Sequence, residues 1–420
     1  MNVLMVNIGY PPFIGGSQVY LHELARRLTQ EGHRIQVHTT NAGEVEAIWH
    51  PKKRRLPEGT DVVDGIMVHR HRLRYLQPAP LAYYLLRRLM PTLSRSSLVS
   101  DDLLERLGRL CPATPDLGPA LDGISERVDL VHAFTIPFES LLLEARDFAR
   151  RRGVPLVVTP FLHTGPNGDG AVSQGYSMRH QLALLREADA VMAMTEVEAE
   201  FLTAQGVPAA RVHVVGGGID PEAVGGGDGR SALLRHKLRR PVVLFLGAVT
   251  YDKGAMHVLD AMRSLWHQRV PANLVIAGTV VDQFANYFRS LPPVELERCL
   301  LLGPVSEEEK RDLLAACDVL VLPSRVDSFG LVFLEAWAYR KPVIGAWAGG
   351  IPALVSHEQD GYLVQFGDVA DLARRIRYLV TYTGDARQLG ERGYEKLRER
   401  YTWDRVYTHI SDVYHSVVPA

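Results

Sequence analysis

Short, unbroken apolar runs alternate with helical stretches along this chain, stop at a cluster of glycines, and then begin again. The first run is Asn2 to Asn7, Asn-Val-Leu-Met-Val-Asn. Tyr20, Leu21, Leu24, Ala25 and Leu28 follow at helical spacing, Gly32 closes that helix, and Arg34 to Thr39 reads as a second strand. Apolar runs without alternation mark strands covered on both faces, as in parallel sheets. The opening of the chain is therefore a βαβ unit. Further strands are expected at Leu130 to Ala133, Leu156 to Thr159, Ala190 to Met194 and Val212 to Val215. Glycines then cluster at 216–218 and 225–227, where a linker is expected. Beyond it the pattern restarts with Val242 to Leu246, Asn273 to Ala277, Leu300 to Leu302, Val319 to Leu322 and Pro342 to Gly345. This predicts an α/β fold of two doubly wound, Rossmann-like domains, 1–215 and 232–400, joined by a Gly-rich linker at 216–231. Ligands of such folds sit at the carboxyl ends of strands, here in the cleft between the domains.

Bulk properties remove several function classes. A net charge of −1 gives no reason to expect nucleic acid as a partner. Cys111, Cys299 and Cys317 have neither metal-ligand nor disulfide-framework spacing, which fits a reducing compartment. The N-terminus lacks a basic n-region and a cleavage site, and no apolar run approaches the roughly 20 residues that span a bilayer. A cytoplasmic location is expected. The segment 67–110 stands apart, with His69, Arg70, His71, Arg72, Arg74, Arg87, Arg88 and Arg95 among Leu, Tyr and Pro. It reads either as a solvated insertion or as a surface for a lipid-linked or anionic acceptor, peripheral at the inner membrane surface.

Chemistry is concentrated near Pro323-Ser-Arg-Val-Asp-Ser-Phe-Gly-Leu-Val-Phe-Leu-Glu-Ala-Trp-Ala338. Glu335 interrupts a run, Leu331 to Ala338, that reads as a helix apolar on all sides and hence buried. A carboxylate there is costly without a hydrogen-bonding partner. Either a protein group meets Glu335, or the pocket takes a ligand rich in hydroxyls. Asp327 lies in the preceding turn. Gly15-Gly16 opens the first helix and Gly349-Gly350 precedes Ile351-Pro352, so both place glycines where helix N–H groups are free to approach an anion. Lys253-Gly254 opens another helix, with the lysine placed as a counter-charge to phosphate. His163 follows the strand Leu156 to Thr159, and His132 is similarly placed. Each of these features also has an ordinary structural explanation; their order along the chain is the specific signal.

In that order, the chain resembles the retaining glycosyltransferases of family 4, with the GT-B architecture. The resemblance is carried by Pro11 to Ala25 with Glu31-Gly-His33, by Phe245-Leu-Gly247 through Lys253-Gly254, and most of all by Ala315 through Ser324 to Gly361-Tyr-Leu-Val364. It implies a nucleotide-sugar donor, UDP- or GDP-linked, held by the C-terminal domain. A sugar, lipid or small-molecule acceptor is held by the N-terminal domain, and residues 401–420 form a helix packing back on that domain. Glu335 matches the acidic residue that binds ribose hydroxyls. Asp327 stands where a Glu usually contacts the transferred sugar, Lys253 matches a diphosphate ligand, and His163 matches a histidine beside the reacting sugar. Gly15, Gly16, Gly247, Val305, Ser328, Phe329, Gly330 and Leu331 fall at donor-binding positions. No Asp-x-Asp motif occurs, so neither a divalent metal nor a further cofactor is expected.

Three positions depart from the family pattern. Ala248 replaces an Arg five residues before Lys253, which removes a cation from the leaving diphosphate. Asp327 withdraws its carboxylate by about 1.5 Å relative to Glu. Ala353 stands where a Glu is often found. The sequence therefore also admits a catalytically weak GT-B binding subunit, or a sugar-nucleotide epimerase on the same architecture. A nicotinamide dehydrogenase fits least, because G-x-G-x-x-G is absent from the first loop.

Overall fold

The structure is a computed structural model that describes residues 1–13, 15–165 and 170–418. It divides into two compact units. The first holds residues 1–162, 170–215 and the chain from Tyr407 onward; the second holds His163 to Gly165 and Gly216–Val406.

The first unit is built on eight strands: β1 (Asn2–Asn7), β2 (Arg34–Thr40), β3 (Gly59–Val63), β4 (Ile66–His71), β5 (Leu130–Phe134), β6 (Leu156–Thr159), β7 (Ala190–Ala193) and β8 (Val212–Val214). Their spatial order is β3-β4-β2-β1-β5-β6-β7-β8. All neighbours are parallel except the edge pair β3–β4. Val3, Leu4, Met5 and Val6 are all buried, as a strand covered on both faces requires. The core joins β1, β5, β6 and β7 to the helix Glu139–Arg152 through Leu4, Val6, Val131, Leu142, Ala145 and Phe148.

The second unit is a parallel sheet of six strands: β9 (Val242–Leu246), β10 (Asn273–Ala277), β11 (Cys299–Gly303), β12 (Val319–Val321), β13 (Val343–Ala346) and β14 (Tyr362–Val364), in the order β11-β10-β9-β12-β13-β14. Stepping from β9 to its neighbours β10 and β12 reverses the direction of winding, so β9 and β12 flank the switch point where α/β sheets bind ligands.

Two sequence expectations change. The segment 67–110 is not wholly an insertion, because its first residues are β4, which pairs with β2 from Gln36↔Met67 to Thr40↔His71. Two of its polar residues meet His38 of β2: His71 shares a hydrogen bond of 3.0 Å with it, and His69 stacks on it. Arg70 is buried and donates to the Pro11 carbonyl at 2.9 Å. The glycines at 225–227 are likewise not a free tether. The stretch 216–231 belongs to the second unit and contains the helix Pro221–Val224. A Cβ on Gly227 would stand 2.2 Å from the Arg311 carbonyl oxygen, so close backbone packing demands glycine there.

Candidate active site

The loop after β12 and the helix Leu331–Ala338 carry the central carboxylates. Gly330 stands before this helix at φ 96°, a left-handed conformation that glycine adopts without strain. Phe333, Leu334, Ala336 and Trp337 face the interior. Leu331, Val332, Glu335 and Ala338 are only partly covered, so the helix is not buried all round as its composition suggests. Glu335 stands on this more open face. It has a protein partner that the sequence did not disclose: Lys310 Nζ donates to Glu335 Oε1 at 2.8 Å. Burial pushes the Glu335 carboxyl above the usual range, and Lys310 opposes that shift.

A second cluster lies at the carboxyl ends of β9 and β12. The loop Gly247–Gly254 packs on the segment after β12: a Cβ on Gly254 would stand 2.6 Å from the Pro323 carbonyl oxygen. Arg325 N donates to the Asp252 carbonyl at 2.9 Å, and its Nε donates to Asp252 Oδ1 at 2.9 Å. Laced together in this way, the two loops bring Lys253 Nζ to Asp327 Oδ1 at 2.7 Å. Among the described residues, no hydrogen-bond partner reaches the buried Asp327 Oδ2. Burial would raise the Asp327 carboxyl, but Lys253 overrides it and holds the group below its ordinary value. His163 feels the same charges. Burial and then Lys253 push its imidazole down to about 4, against the opposing pull of Asp327 and Asp252. At neutral pH the His163 imidazole is therefore neutral and the Asp327 carboxyl ionised.

Gly349 and Gly350 complete the floor of this cluster. Gly350 N donates to the Asp327 carbonyl at 2.8 Å, and at Gly349, with φ 59°, a Cβ would stand 2.2 Å from that same oxygen. Phe329 is buried, Ser328 and Leu331 are partly covered, and the first N–H groups of the helix Leu331–Ala338 have no intrahelical acceptor. Gly247 follows β9, and its N–H donates to the Ala277 carbonyl at 3.0 Å. Val305 is half-buried just beyond β11. In the first unit, Gly15 is the N-cap of the helix Gly16–Gln30. A Cβ on Gly16 would meet nothing within 4 Å, so that residue faces open space.

His132 belongs to the core instead. Its two ring nitrogens are 2.6 Å from the Tyr414 hydroxyl and 2.8 Å from the Thr159 hydroxyl. Ala248 is exposed and offers no charge. The nearby Arg325 is engaged by Asp252 and lies over the rings of Phe366 and Tyr251. Lys310 and Arg325 were missed because their partners, Glu335 and Asp252, are 25 and 73 residues away in sequence.

Residues 232–396 match the family described as Glycosyl transferases group 1, and residues 15–218 match the Glycosyl transferase 4-like domain. The fold is shared with the Anabaena protein HepE, solved in complex with UDP and glucose, at a TM-score of 0.71 and 20% identity over 99% of this chain and 100% of that one. It is also shared with sucrose-phosphate synthase from Thermosynechococcus elongatus, at a TM-score of 0.69 and 19% identity over 99% of this chain and 98% of that one. The two units are those of a GT-B enzyme. The chain belongs to the family 4 glycosyltransferases. Among curated relatives, a glycogen synthase of Mycobacterium tuberculosis is 25% identical over 99% of this chain and 94% of its own length. A D-inositol 3-phosphate glycosyltransferase of Streptomyces bingchenggensis is 29% identical over 95% of this chain and 84% of its own.

Proposed function

We propose that the protein transfers a hexose from a nucleoside diphosphate sugar, UDP- or GDP-linked, to an acceptor hydroxyl with retention at the anomeric carbon. The observation that carries this reading is one loop and helix bearing two separate carboxylate sites. Asp327 and its Lys253 partner lie before the helix, and Glu335 lies within it. A nucleotide sugar needs the same sequence of groups: a cation at the diphosphate, and an acceptor pair for the ribose diol. Lys253 and the free helix N–H groups stabilise the charge that develops on the departing diphosphate. Asp327 and neutral His163 address the sugar. The acceptor hydroxyl attacks on the face from which the diphosphate departs and passes its proton to the leaving phosphate oxygen. No metal enters this scheme.

The reading is tested by nucleotide release from UDP-, GDP- and ADP-sugars with and without acceptors. Glu335→Gln is expected to weaken nucleotide binding by about 10- to 100-fold, the worth of a charged hydrogen bond. Equal affinity in calorimetry would remove Glu335 from the site. Nucleotide binding without turnover under every acceptor would instead favour a catalytically weak binding subunit, the reading that Ala248 motivates.

The acceptor side of the proposal rests on the helix Leu81–Arg95. Leu81, Tyr84, Leu85 and Leu89 are at least half exposed on its outer face, interspersed with exposed Arg88, Thr92 and Arg95 and with no carboxylate. The inner face is fixed by Arg87, which donates to buried Glu139 at 2.6 Å. No helix among the described residues is long and apolar enough to cross a membrane. A cationic, apolar helix face of this kind suits the surface of an anionic bilayer, where it would meet a lipid-borne acceptor. The wild-type protein is expected to sediment with phosphatidylglycerol vesicles and not with phosphatidylcholine vesicles. Leu85→Glu combined with Leu89→Glu should reduce that binding about tenfold or more. Equal sedimentation with both lipids, or concentration-dependent dimerisation that the double variant abolishes, would overturn the membrane assignment.

A further inference from the structure

Lys310 occupies an unfavourable place. It lies in the first turn and a half of the helix Glu307–Ala316, where the aligned peptide dipoles present positive charge and disfavour a cation. Burial also works against its charged form, yet the Glu335 and Glu307 carboxylates hold the ammonium above its ordinary value. The geometry accounts for this. Nζ lies 2.7 Å from Glu307 Oε2 and 2.8 Å from Glu335 Oε1. Lys310 and Glu335 are mostly covered, whereas Glu307 is largely in solvent. Lys310 is thus drawn against the helix dipole toward the one carboxylate on the open face of Leu331–Ala338. Among the described residues, no other protein donor reaches Glu335, so Oε1 is taken and Oε2 is left for a ligand.

We infer that Lys310 is a positioning residue of the nucleotide site: it holds Glu335 ionised and fixes its rotamer so that Oε2 faces the ribose diol. The inference rests on the reading of Glu335 as the ribose ligand and adds to it the group that makes Glu335 competent. A carboxylate in this setting needs such help. The charged and titratable groups around it are Lys310 and Glu307 on the neighbouring helix and Tyr339 at the end of its own. Of these only Lys310 favours the ionised form. Without it, burial and Glu307 both favour protonation, and a protonated carboxyl loses acceptor capacity toward the two ribose hydroxyls.

The experiment measures the dissociation constants of UDP, GDP and ADP by calorimetry from pH 5.5 to 8.5 for the wild type, Lys310→Met, Lys310→Gln, Lys310→Arg and Glu335→Gln. Wild-type binding of the preferred nucleotide is expected to be flat across neutral pH. Lys310→Met should bind about tenfold or more weakly near pH 6, recover as pH rises, and be matched by Lys310→Gln, while Lys310→Arg restores the wild-type profile. A lysine that merely braced the two helices would lower the melting temperature without tilting the pH profile. Lys310→Met and Lys310→Gln variants that bind as tightly as the wild type, or more tightly, at every pH would overturn the inference while leaving the function intact. Glu335→Gln binding like the wild type, or no binding of any of the three nucleotides by the wild type, would overturn the functional reading and this inference with it.

Discussion

Lys253→Met is expected to lower turnover of a sugar nucleotide by about 100- to 1000-fold, the effect of removing one preorganised charge from a developing anion. Ala248 makes the expectation stronger, since no second cation stands at that position in the same loop and Arg325 is occupied by Asp252. The substitution also has a structural effect. Asp327 would remain buried without its Lys253 ion pair, a loss of about 3 kcal/mol for a broken buried pair. The two effects separate in the double variant Lys253→Met with Asp327→Asn, which removes the stranded charge. Its thermal stability should return toward the wild type while its turnover stays low. Turnover near the wild-type level in the single variant would show that Lys253 does not serve the leaving group.

The first unit is expected to lose stability as pH falls from 7 to 5. Burial drives His132 down to about 3 and His38 to about 2, and burial with the nearby His69 drives His71 to about 4. In an unfolded chain these imidazoles titrate near 6.5. Their stabilising contribution is therefore complete above that pH, and it erodes below it as the unfolded chain takes up protons that the folded chain refuses. At pH 5 each fully independent site forfeits about 2 kcal/mol, from roughly 1.4 kcal/mol per pH unit. Glu198 runs the other way. Burial raises its carboxyl to about 7, so folding gains from its protonation over the same interval, offsetting about one histidine. The net loss of a few kcal/mol should lower the melting temperature of this unit by roughly 5–10 °C in calorimetry. His132→Gln should flatten the dependence by the contribution of that one site. An identical melting temperature at both pH values would mean that these histidines titrate normally in the folded protein.

What could be read beforehand depended on how local the cause was. The central strands of both sheets are continuous apolar runs, and β1, β6, β9 and β10 begin and end where those runs do. The hairpin β3–β4 was overlooked although its turn was in view. Asp64-Gly65 joins Val63 to Ile66 with φ 49° and 80°, the two-residue turn that such a pair favours. The histidines and arginine of β4 disguised it, because their partners, His38 and the Pro11 carbonyl, lie elsewhere in the chain. Glu335 was legible as a carboxylate out of place, but its partner was not, since Lys310 stands on a different helix and its sequence neighbours give no sign of the contact. Asp327 and Lys253 were each legible as charged residues beside glycine turns; that they form a pair is a fact of how two loops pack, which periodicity does not encode. Gly227 was visible, but its packing was not, because a tether and a tightly packed crossing call for the same residue.

The bond between His132 and the Tyr414 hydroxyl joins residues 282 positions apart. Around it, Tyr407, Ile410, Val413 and Tyr414 of the helix Trp403–Val417 are buried, and the chain from Tyr407 onward belongs to the first unit. During synthesis the second unit therefore emerges between the two parts of the first. Until residue 414 leaves the ribosome, His132 lacks one of its two partners. Meanwhile the whole of the second unit, ending at Val406, has already emerged. The first unit must wait, unfinished, while the second is made within it.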